Sequence, residues 1–454
     1  MPIKSINPAT GEVIKVLDEL TQDQVYAEID KTYAAFQNWK LTSYNERKVK
    51  MLKASKILKD EKINYAKILT LEMGKPIKQA VSEVEKCSWV CEFYAENTEE
   101  ILKKEFIKTD ASESYVEFDP IGIILAIMPW NFPYWQVFRF AAPALMAGNV
   151  GLLKHSSNVP MSALAIEEVF MKAGFPAGTF KTLMVGSQRI DDIINHPKVS
   201  AVTLTGSEGA GKKVAAAAGK NLKKSVLELG GSDPFIVLAD ADIEAAARVA
   251  VQARLINNGQ SCIAAKRFIV VRDVAKEFEK KFVDVVNEIK IGDPMDERNE
   301  LGPMAREDLL NDLDKQVKDS ISKGAKLLTG GKRIDIRGYY YPATVLTNVK
   351  KGMAVYEEET FGPVAAIIIA EDQDDAIKIA NDTAYGLGAS LWTKNTSRAK
   401  ELAARIESGS VFINGMVKSD PRLPFGGVKI SGYGRELSHY GIKEFVNIKT
   451  VWIA

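Results

Sequence analysis

From about residue 120 onward, short apolar runs alternate with helical patterns, and this alternation restricts the folds open to the chain. Strands are predicted at 152–154, 182–185, 200–204, 225–229, 235–238, 267–271, 365–369, 389–393 and 410–414. Helices are predicted at 160–172, 188–195, 209–219, 242–257, 274–289, 374–380 and 397–407. Strands that alternate with helices of this length favour mainly parallel sheets with crossover helices. We therefore predict an α/β fold.

The length of 454 residues exceeds what one sheet of this kind holds, so we predict two doubly wound, Rossmann-like α/β domains. The first is expected to combine residues 1–102 and 121–229, and the second to span 230–419, followed by a C-terminal return segment at 420–442. Residues 103–120 and 443–454 alternate polar and apolar side chains instead. These two segments are predicted to be strands of a small β arm that pair with each other or with another subunit.

The charge balance and the apolar runs exclude several classes of partner. Lys and Arg total 60 and Asp and Glu total 59, whereas a nucleic-acid-binding protein normally carries a basic excess. The longest apolar run, at 121–130, is too short to span a bilayer, and the first residues lack the apolar region of a signal peptide. We expect a cytoplasmic protein with no nucleic-acid or membrane partner.

Three cysteines, an odd and sparse set, argue against a disulfide framework. Cys87 and Cys91 lie four residues apart on an amphipathic helical pattern, which predicts core positions for both. Cys262 follows a Gly-Gln-Ser turn that leaves its thiol reachable, so it is a candidate nucleophile, with a buried core cysteine as the alternative. Because the chain has only three histidines, no metal site is predicted.

Glu228 is flanked by Leu227 and Leu229 at the end of a predicted strand. A carboxylate in such an apolar sheet is costly unless it is paired or used, and burial would raise its pKa. A raised pKa suits a general base that works near neutral pH. The alternative is a buried glutamate with a structural partner.

The Gly-rich segment 205–213 connects a predicted strand to a predicted helix. It nearly matches the P-loop pattern, with Gly206, Gly211 and Lys212 in place, but Lys213 stands where a Ser or Thr would bind Mg²⁺. A nucleotide hydrolase or kinase is therefore a weak alternative. A Gly-rich strand-to-helix turn still presents backbone N–H groups and a helix dipole to a phosphate, which favours an anion site over an ordinary turn.

Five motifs occur in the order found in the NAD(P)-dependent aldehyde dehydrogenase superfamily, which the chain resembles over essentially its whole length. They are PWNFP at 129–133, LELGG at 227–231, GQSC at 259–262, ETFGP at 359–363 and PFGGVK at 424–429. The resemblance implies that the Cys262 thiolate attacks an aldehyde, that Asn131 stabilises the oxyanion, and that Glu228 activates water. Glu436 matches a position sometimes assigned to proton relay.

The resemblance also implies a set of cofactor contacts. These are Trp130, Lys154, Ser156, Ser157, Gly206, Ser207, Leu229, Glu359 and Phe361. NAD-preferring relatives commonly carry a Glu three residues after the cofactor lysine, where this chain has Ser157. A hydroxyl in place of that carboxylate removes repulsion against a 2′-phosphate, so we favour NADP over NAD and leave NAD open.

The WQVFR run at 135–139 and the short N-terminal segment resemble the succinate-semialdehyde dehydrogenase branch. Arg139 matches an arginine that binds the substrate carboxylate there. The second arginine of some relatives, six residues before the cysteine, is replaced by Ile256 here. Arg139 could therefore form a structural ion pair instead of binding substrate. Another short aldehyde such as glyceraldehyde also stays open as the substrate. Relatives that transfer the acyl group to coenzyme A tend to lack a carboxylate at the position of Glu228, so its presence here argues against that activity. A homo-oligomer, dimer or tetramer, is expected.

Overall fold

The computed structural model describes residues 2–454. Its strands, numbered β1 to β18 in chain order, are Ile3–Asn7, Glu12–Leu17, Glu105–Phe106, Glu113–Pro120, Ile123–Met128, Val150–His155, Phe180–Thr182, Val199–Thr205, Lys224–Glu228, Pro234–Val237, Arg267–Val271, Lys326–Thr329, Thr344–Thr347, Val364–Ala370, Ala389–Trp392, Val411–Ile413, Gly432–Tyr433 and Val446–Ile453. Its helices, α1 to α15, are Gln22–Trp39, Tyr44–Asp60, Lys62–Met73, Ile77–Ile101, Trp135–Met146, Pro160–Lys172, Ile190–Asn195, Glu208–Lys220, Ile243–Leu255, Arg272–Glu288, Glu307–Ser322, Ala354–Glu357, Gln373–Asn381, Thr396–Ala403 and Ser438–Lys443.

The first large sheet has six strands in the order β17-β9-β8-β5-β6-β7. All its pairs are parallel except β17–β9, and β5 and β6 are buried along their whole length. Near-continuous apolar strands of this kind occur where helices cover both faces of a parallel sheet. The β17–β9 pair brings the C-terminal segment back beside the first sheet, with Gly432 opposite Glu228.

The second large sheet has seven strands in the order β12-β13-β14-β11-β10-β15-β16. Only the edge pair β12–β13 is antiparallel. Apolar clusters lie on both faces of this sheet, as the alternating burial of β10 and β11 side chains in two separate clusters shows. The predicted α/β fold with two doubly wound sheets is confirmed, while the predicted domain boundaries stay a prediction.

The third sheet is a small antiparallel arm in the order β18-β4-β3. Strand β18 pairs with β4 over eight residues, from Val446 opposite Pro120 to Ile453 opposite Glu113. The predicted pairing between the segments 103–120 and 443–454 is therefore confirmed. Whether this arm also joins subunits stays a prediction.

Three predicted elements end at least two residues earlier in the structure. The strand predicted at 182–185 is Phe180–Thr182, because the N–H of Val185 bonds back to the Leu183 carbonyl and closes a turn. The helix predicted at 397–407 ends at Ala403, where two tighter turns follow it. The helix predicted at 242–257 ends at Leu255, because Asn257 takes a left-handed conformation.

Helix α4 carries both predicted core cysteines on its buried face. Cys87 and Cys91 are fully buried, and burial raises the pKa of each thiol. The prediction that they are core residues is confirmed. Within residues 2–454, no helix combines the length and the hydropathy that crossing a membrane requires.

Candidate active site

The candidate nucleophile lies on a tight turn between α9 and β11, and hydrogen bonds to other segments of the chain fix the backbone of this turn. Asn257 and Asn258 have φ values of 55° and 57°, a left-handed region that disfavours side chains other than glycine. The Asn257 N–H donates to Gln79 Oε1 at 2.7 Å. The Asn258 amide donates to the Gly74 carbonyl at 2.8 Å and the Pro303 carbonyl at 3.0 Å. These bonds fix the approach of the chain to Cys262.

Lys266 supports the other side of the nucleophile turn. Its ammonium is fully buried and donates to the carbonyls of Ser261 at 2.9 Å, Cys262 at 2.8 Å and Ala264 at 3.2 Å. Turning three carbonyls inward leaves the Cys262 N–H facing the other way, and it donates to no group in the described part of the chain. That N–H is thus free to stabilise a developing oxyanion.

Asn131 lies directly beside this turn, in the loop that follows β5. Its amide nitrogen donates to the Gln260 carbonyl at 3.1 Å, and its amide oxygen accepts from Gln136 at 3.1 Å. Its own carbonyl accepts from the Asn257 amide at 2.6 Å. An amide nitrogen has two protons, so one remains for a second acceptor next to Cys262. The structure thus joins Asn131 to the turn that carries Cys262, and its role in stabilising an oxyanion stays a prediction.

The Cys262 side chain is partly exposed, unlike the two core cysteines. The surrounding protein desolvates its sulfur and raises the pKa of the Cys262 thiol to about 12, although the positive charges of Lys266 and Arg139 act in the opposite direction. At rest the group is therefore a neutral thiol, and forming the thiolate requires removal of a proton.

Glu228 ends strand β9 with its side chain buried, 2% exposed, and both carboxyl oxygens lack a hydrogen-bond partner among residues 2–454. Burial raises the pKa of Glu228 well above its ordinary value, and the negative charge of Glu436 raises it further. The predicted raised pKa is confirmed. The Glu228 carboxyl faces the C-terminal segment, where a Cβ on Gly426 would lie 2.7 Å from its Oε1.

Arg139 and Glu436 form a buried ion pair beside Glu228. The guanidinium also donates to Thr205 Oγ1 at 3.3 Å and stacks on Phe425, 4.6 Å from the ring centroid. The contacts of Arg139 are thus with protein groups, which matches the alternative of a structural ion pair. Binding of a substrate carboxylate by Arg139 stays a prediction.

The β8–α8 turn presents a helix start that suits an anion. Ser207 caps α8, and its hydroxyl accepts from the Ala210 N–H at 3.4 Å, while the Gly206 N–H donates to the Glu228 carbonyl at 3.0 Å. Lys212 is exposed and pairs with Glu208 on the helix surface. Because the Lys212 side chain pairs with Glu208 on the helix surface, it is not placed to bind a phosphate as a P-loop lysine does. This argues against the P-loop alternative.

Lys154, at the end of β6, is 8% exposed, and its ammonium has no ion-pair partner within the described residues. Burial lowers the pKa of Lys154. Ser157, three residues on, is exposed, and the Ser156 hydroxyl donates to Asn158 Oδ1 at 2.7 Å. A buried ammonium near a helix start fits a ligand with ribose hydroxyls and phosphates, so this edge of the first sheet fits a dinucleotide.

The remaining predicted cofactor residues lie where the two large sheets meet the nucleophile turn. Glu359 Oε1 accepts from the Gly231 N–H at 3.1 Å and lies 3.4 Å from the Lys266 ammonium. Trp130 packs edge-on against Phe361, with ring centroids 5.7 Å apart. Leu229 packs under α8, where a Cβ on Gly211 would come within 2.6 Å of it.

Two lysines at this site were missed by the sequence analysis. Lys266 and Arg267 stand at the start of an apolar strand, where charged side chains are typically exposed, yet both are fully buried. Lys86 lies on α4 and donates to Ser419 Oγ at 2.7 Å, across a separation of more than three hundred residues. Nothing in the sequence links two residues that far apart, although a lone lysine on the buried half of an amphipathic helix is a weak signal.

Comparison with known proteins agrees with this geometry. Residues 1–451 match the model of the aldehyde dehydrogenase family. The chain is 52% identical to a Synechocystis sp. protein named "Probable succinate-semialdehyde dehydrogenase [NADP(+)]", with both chains covered completely. It is 50% identical to "Succinate-semialdehyde dehydrogenase [NADP(+)] 1" of Mycobacterium tuberculosis, again over the full length of both.

Among solved structures, a succinic semialdehyde dehydrogenase from Streptococcus pyogenes in complex with NADP+ superimposes with a TM-score of 0.97 at 38% identity, over 99% of each chain. The succinate-semialdehyde dehydrogenase of Burkholderia pseudomallei also gives a TM-score of 0.97, at 34% identity, over 100% of this chain and 95% of that one. The geometry of the site agrees with the similarity in sequence and in structure. It has a thiol on a fixed turn, a free N–H beside that thiol, and a buried carboxylate without a hydrogen-bond partner. The chain belongs to the aldehyde dehydrogenase family.

Proposed function

We propose that the protein oxidises succinate semialdehyde to succinate, with NADP+ as hydride acceptor. The observation that carries the reaction class is the cluster of Cys262, Asn131 and the unpartnered carboxyl of Glu228. The names of full-length relatives at about half identity support the substrate and the cofactor. Oxidation of another short aldehyde such as glyceraldehyde is the second candidate, because Arg139 is already paired within the protein.

In the first step the Cys262 thiol loses its proton to water and its sulfur forms a bond to the carbonyl carbon of the aldehyde. The π electrons of the carbonyl bond move to its oxygen, which becomes an oxyanion. The remaining N–H of the Asn131 amide and the Cys262 backbone N–H donate to this oxygen. The turn held by Lys266 keeps both donors fixed before substrate binds. A bound nicotinamide would supply the hydride acceptor, and loss of a hydride from the same carbon would leave Cys262 as a thioester.

In the second step Glu228 takes a proton from water, whose oxygen attacks the thioester carbon. The carbon–sulfur bond breaks, the acid leaves, and the sulfur regains a proton. Burial and the charge of Glu436 raise the pKa of Glu228, which makes its ionised form a stronger base toward water. Arg139 and Arg435 act in the opposite direction and stabilise the ionised form.

Lys154, Ser156, Ser157, Gly206, Ser207 and Glu359 are the residues that would hold the cofactor. Ser157 is exposed and neutral at the position where a carboxylate would repel a 2′-phosphate. Lys154 forms no direct ion pair within residues 2–454, although the charge of Glu19 partly offsets the lowering of its pKa. Both features support NADP over NAD.

The test is a panel of short aldehydes with NADP+ and NAD+ in parallel. We expect the highest kcat/KM for succinate semialdehyde with NADP+, and Cys262→Ala should abolish reduced-cofactor formation with every aldehyde. Ala substitution at Cys87, a fully buried thiol of α4, is the matched control and should retain turnover. Turnover by Cys262→Ala, or a preference for glyceraldehyde, would contradict the respective part of the proposal.

We also propose that the protein is a cytoplasmic homo-oligomer, a dimer or tetramer. The three-stranded arm leaves Phe106, Ile448 and Trp452 exposed in the single chain, and exposed apolar side chains on a sheet favour association. The free cysteines fit a reducing compartment. Light scattering of the wild type and of Trp452→Glu tests the assembly, with a smaller particle expected for the variant. A monomeric wild type would refute it.

A further inference from the structure

Lys86 places an ammonium beside Ser419 and Trp135 without a direct ion pair. Its Nζ lies 2.7 Å from Ser419 Oγ and 4.3 Å from the centroid of the Trp135 ring. Ser419 and Trp135 are themselves buried, whereas Lys86 is half-buried. No Asp or Glu of residues 2–454 is within ion-pair distance of this ammonium.

The carboxylates nearest to Lys86 in the chain are engaged elsewhere. Glu83 pairs with Lys75, and its other oxygen accepts the N–H groups of Tyr134 and Trp135. Glu85 pairs with Lys62 on the outer face of α4. Asp420, next to Ser419, pairs with Arg422. None of these groups forms a direct ion pair with Lys86, although the charges of Glu83 and Asp420 partly offset the lowering of its pKa.

The position of Lys86 relative to the nucleophile follows from these bonds. Glu83, one helical turn before Lys86, is bonded to the backbone just after the Asn131 loop, so α4 is fixed to that loop. Arg139 lies one turn after Trp135 on α5, and its charge lowers the pKa of both the Cys262 thiol and the Lys86 ammonium. Cys262 and Lys86 thus both lie near one guanidinium.

Arg139 and Lys86 differ in what they can offer a ligand. The guanidinium of Arg139 is neutralised by Glu436 and stacked on Phe425. The ammonium of Lys86 uses one of its three protons on Ser419, and a partly desolvated cation without a direct ion pair is energetically costly. Burial and the charge of Arg139 lower the pKa of Lys86 to about 8, a shift that an anionic ligand would reverse.

We propose that Lys86 is the cation that binds the carboxylate of the aldehyde substrate, with the Ser419 hydroxyl as a second donor beside it. The inference rests on the proposed function, because it takes the substrate to be a short aldehyde with a carboxylate at its far end. Trp135 flanks the ammonium and limits the width of the subsite. Lys86 is then a specificity-determining residue that recognises the end of the substrate remote from the reacting carbon.

The experiment compares succinate semialdehyde with butanal, its uncharged analogue of the same chain length, in the wild type, Lys86→Met and Lys86→Arg. Lys86→Met should raise KM for succinate semialdehyde about ten- to a hundredfold, because a hydrogen bond to a charged group is lost. Its kcat, and both constants for butanal, should stay within about twofold of the wild type. Lys86→Arg should restore most of the lost affinity. Lys198→Met, which removes a surface lysine near Tyr33, is the matched control.

Inhibition of butanal oxidation by succinate gives a second readout that does not depend on turnover of the semialdehyde. We expect succinate to inhibit the wild type and to lose that inhibition in Lys86→Met. Equal changes for both aldehydes, or unchanged inhibition by succinate, would overturn the role of Lys86. A wild type that does not oxidise succinate semialdehyde would instead refute the proposed function, and Lys86-dependent inhibition by succinate would still identify the carboxylate site.

Discussion

Arg139 and Glu436 are joined as an ion pair at the bottom of the catalytic site, and their side chains are only 3% and 6% exposed. This pair lies next to Glu228, where the negative charge of Glu436 raises the pKa of the Glu228 carboxyl and the positive charge of Arg139 lowers it. Removing one partner of a buried pair leaves the other charge uncompensated. The pair therefore controls when Glu228 can act as a base.

Glu436→Gln should extend hydrolysis to lower pH. The negative charge of Glu436 raises the pKa of Glu228, so its removal lowers that pKa, and the released charge of Arg139 lowers it further. A base is active above its pKa, so the acidic limb of the kcat profile should move to lower pH. Steady-state rates across pH check this. Glu85→Gln, an exposed carboxylate of α4, should leave the profile in place, and a limb that moves to higher pH in Glu436→Gln would be contrary evidence.

Glu228→Gln should separate the two halves of the reaction. The variant keeps Cys262 and Asn131, so one equivalent of reduced cofactor per site should form in a burst. Turnover should then fall about 10²–10⁴-fold, because the base that activates water is missing. Stopped-flow absorbance measures both phases. Cys262→Ala should show no burst, and an undiminished steady-state rate in Glu228→Gln would remove this residue from the mechanism.

Ser157→Glu should change the cofactor preference. A carboxylate at this exposed position would repel a 2′-phosphate, so kcat/KM for NADP+ should fall at least about tenfold, while the value for NAD+ stays or rises. Ser157→Gln adds the same bulk without charge and serves as the control. If both substitutions reduce the use of NADP+ equally, the effect is steric and the electrostatic explanation is wrong.

Alkylation of Cys262 by iodoacetamide should be slow at neutral pH and accelerate without a plateau up to pH 9.5. The pKa of this thiol is raised to about 12, and below its pKa the thiolate fraction rises about tenfold per pH unit. Loss of activity follows the reaction at this partly exposed residue. The buried Cys87 and Cys91 should stay unmodified in peptide mass spectra. A plateau near the ordinary thiol pKa would show that burial does not control this group.

Much of the fold was predictable because its signals are local. The strand at Arg267–Val271 and the helix at Pro160–Lys172 have the predicted bounds, since an apolar run and a helix-opening proline each act within a few residues. Element ends were harder to place. Helix α9 ends early because Asn257 is held in a left-handed conformation by Gln79, a contact no local pattern encodes.

The parts of the site that lie close together in the sequence could be predicted. The contacts that form only when distant segments fold together could not. The Gly-Gln-Ser-Cys turn and the buried Glu228 stand out in the sequence, and the structure shows the raised pKa of Glu228. The contact between Lys86 and Ser419 and the ion pair of Arg139 with Glu436 join distant segments. Such contacts depend on helix packing and on the return of the C-terminal segment along β9.

Because the C-terminal segment must return to the first sheet, the active site is complete only after the last part of the chain has been synthesised. Arg139 leaves the ribosome about 300 residues before Glu436, which corresponds to roughly 15–60 s at about 5–20 residues per second. During that interval the guanidinium has no counter-ion, Glu228 lacks the charge that tunes it, and β4 lacks its long partner strand. A nascent or prematurely terminated chain can therefore carry an intact nucleophile turn and still be unable to release a product.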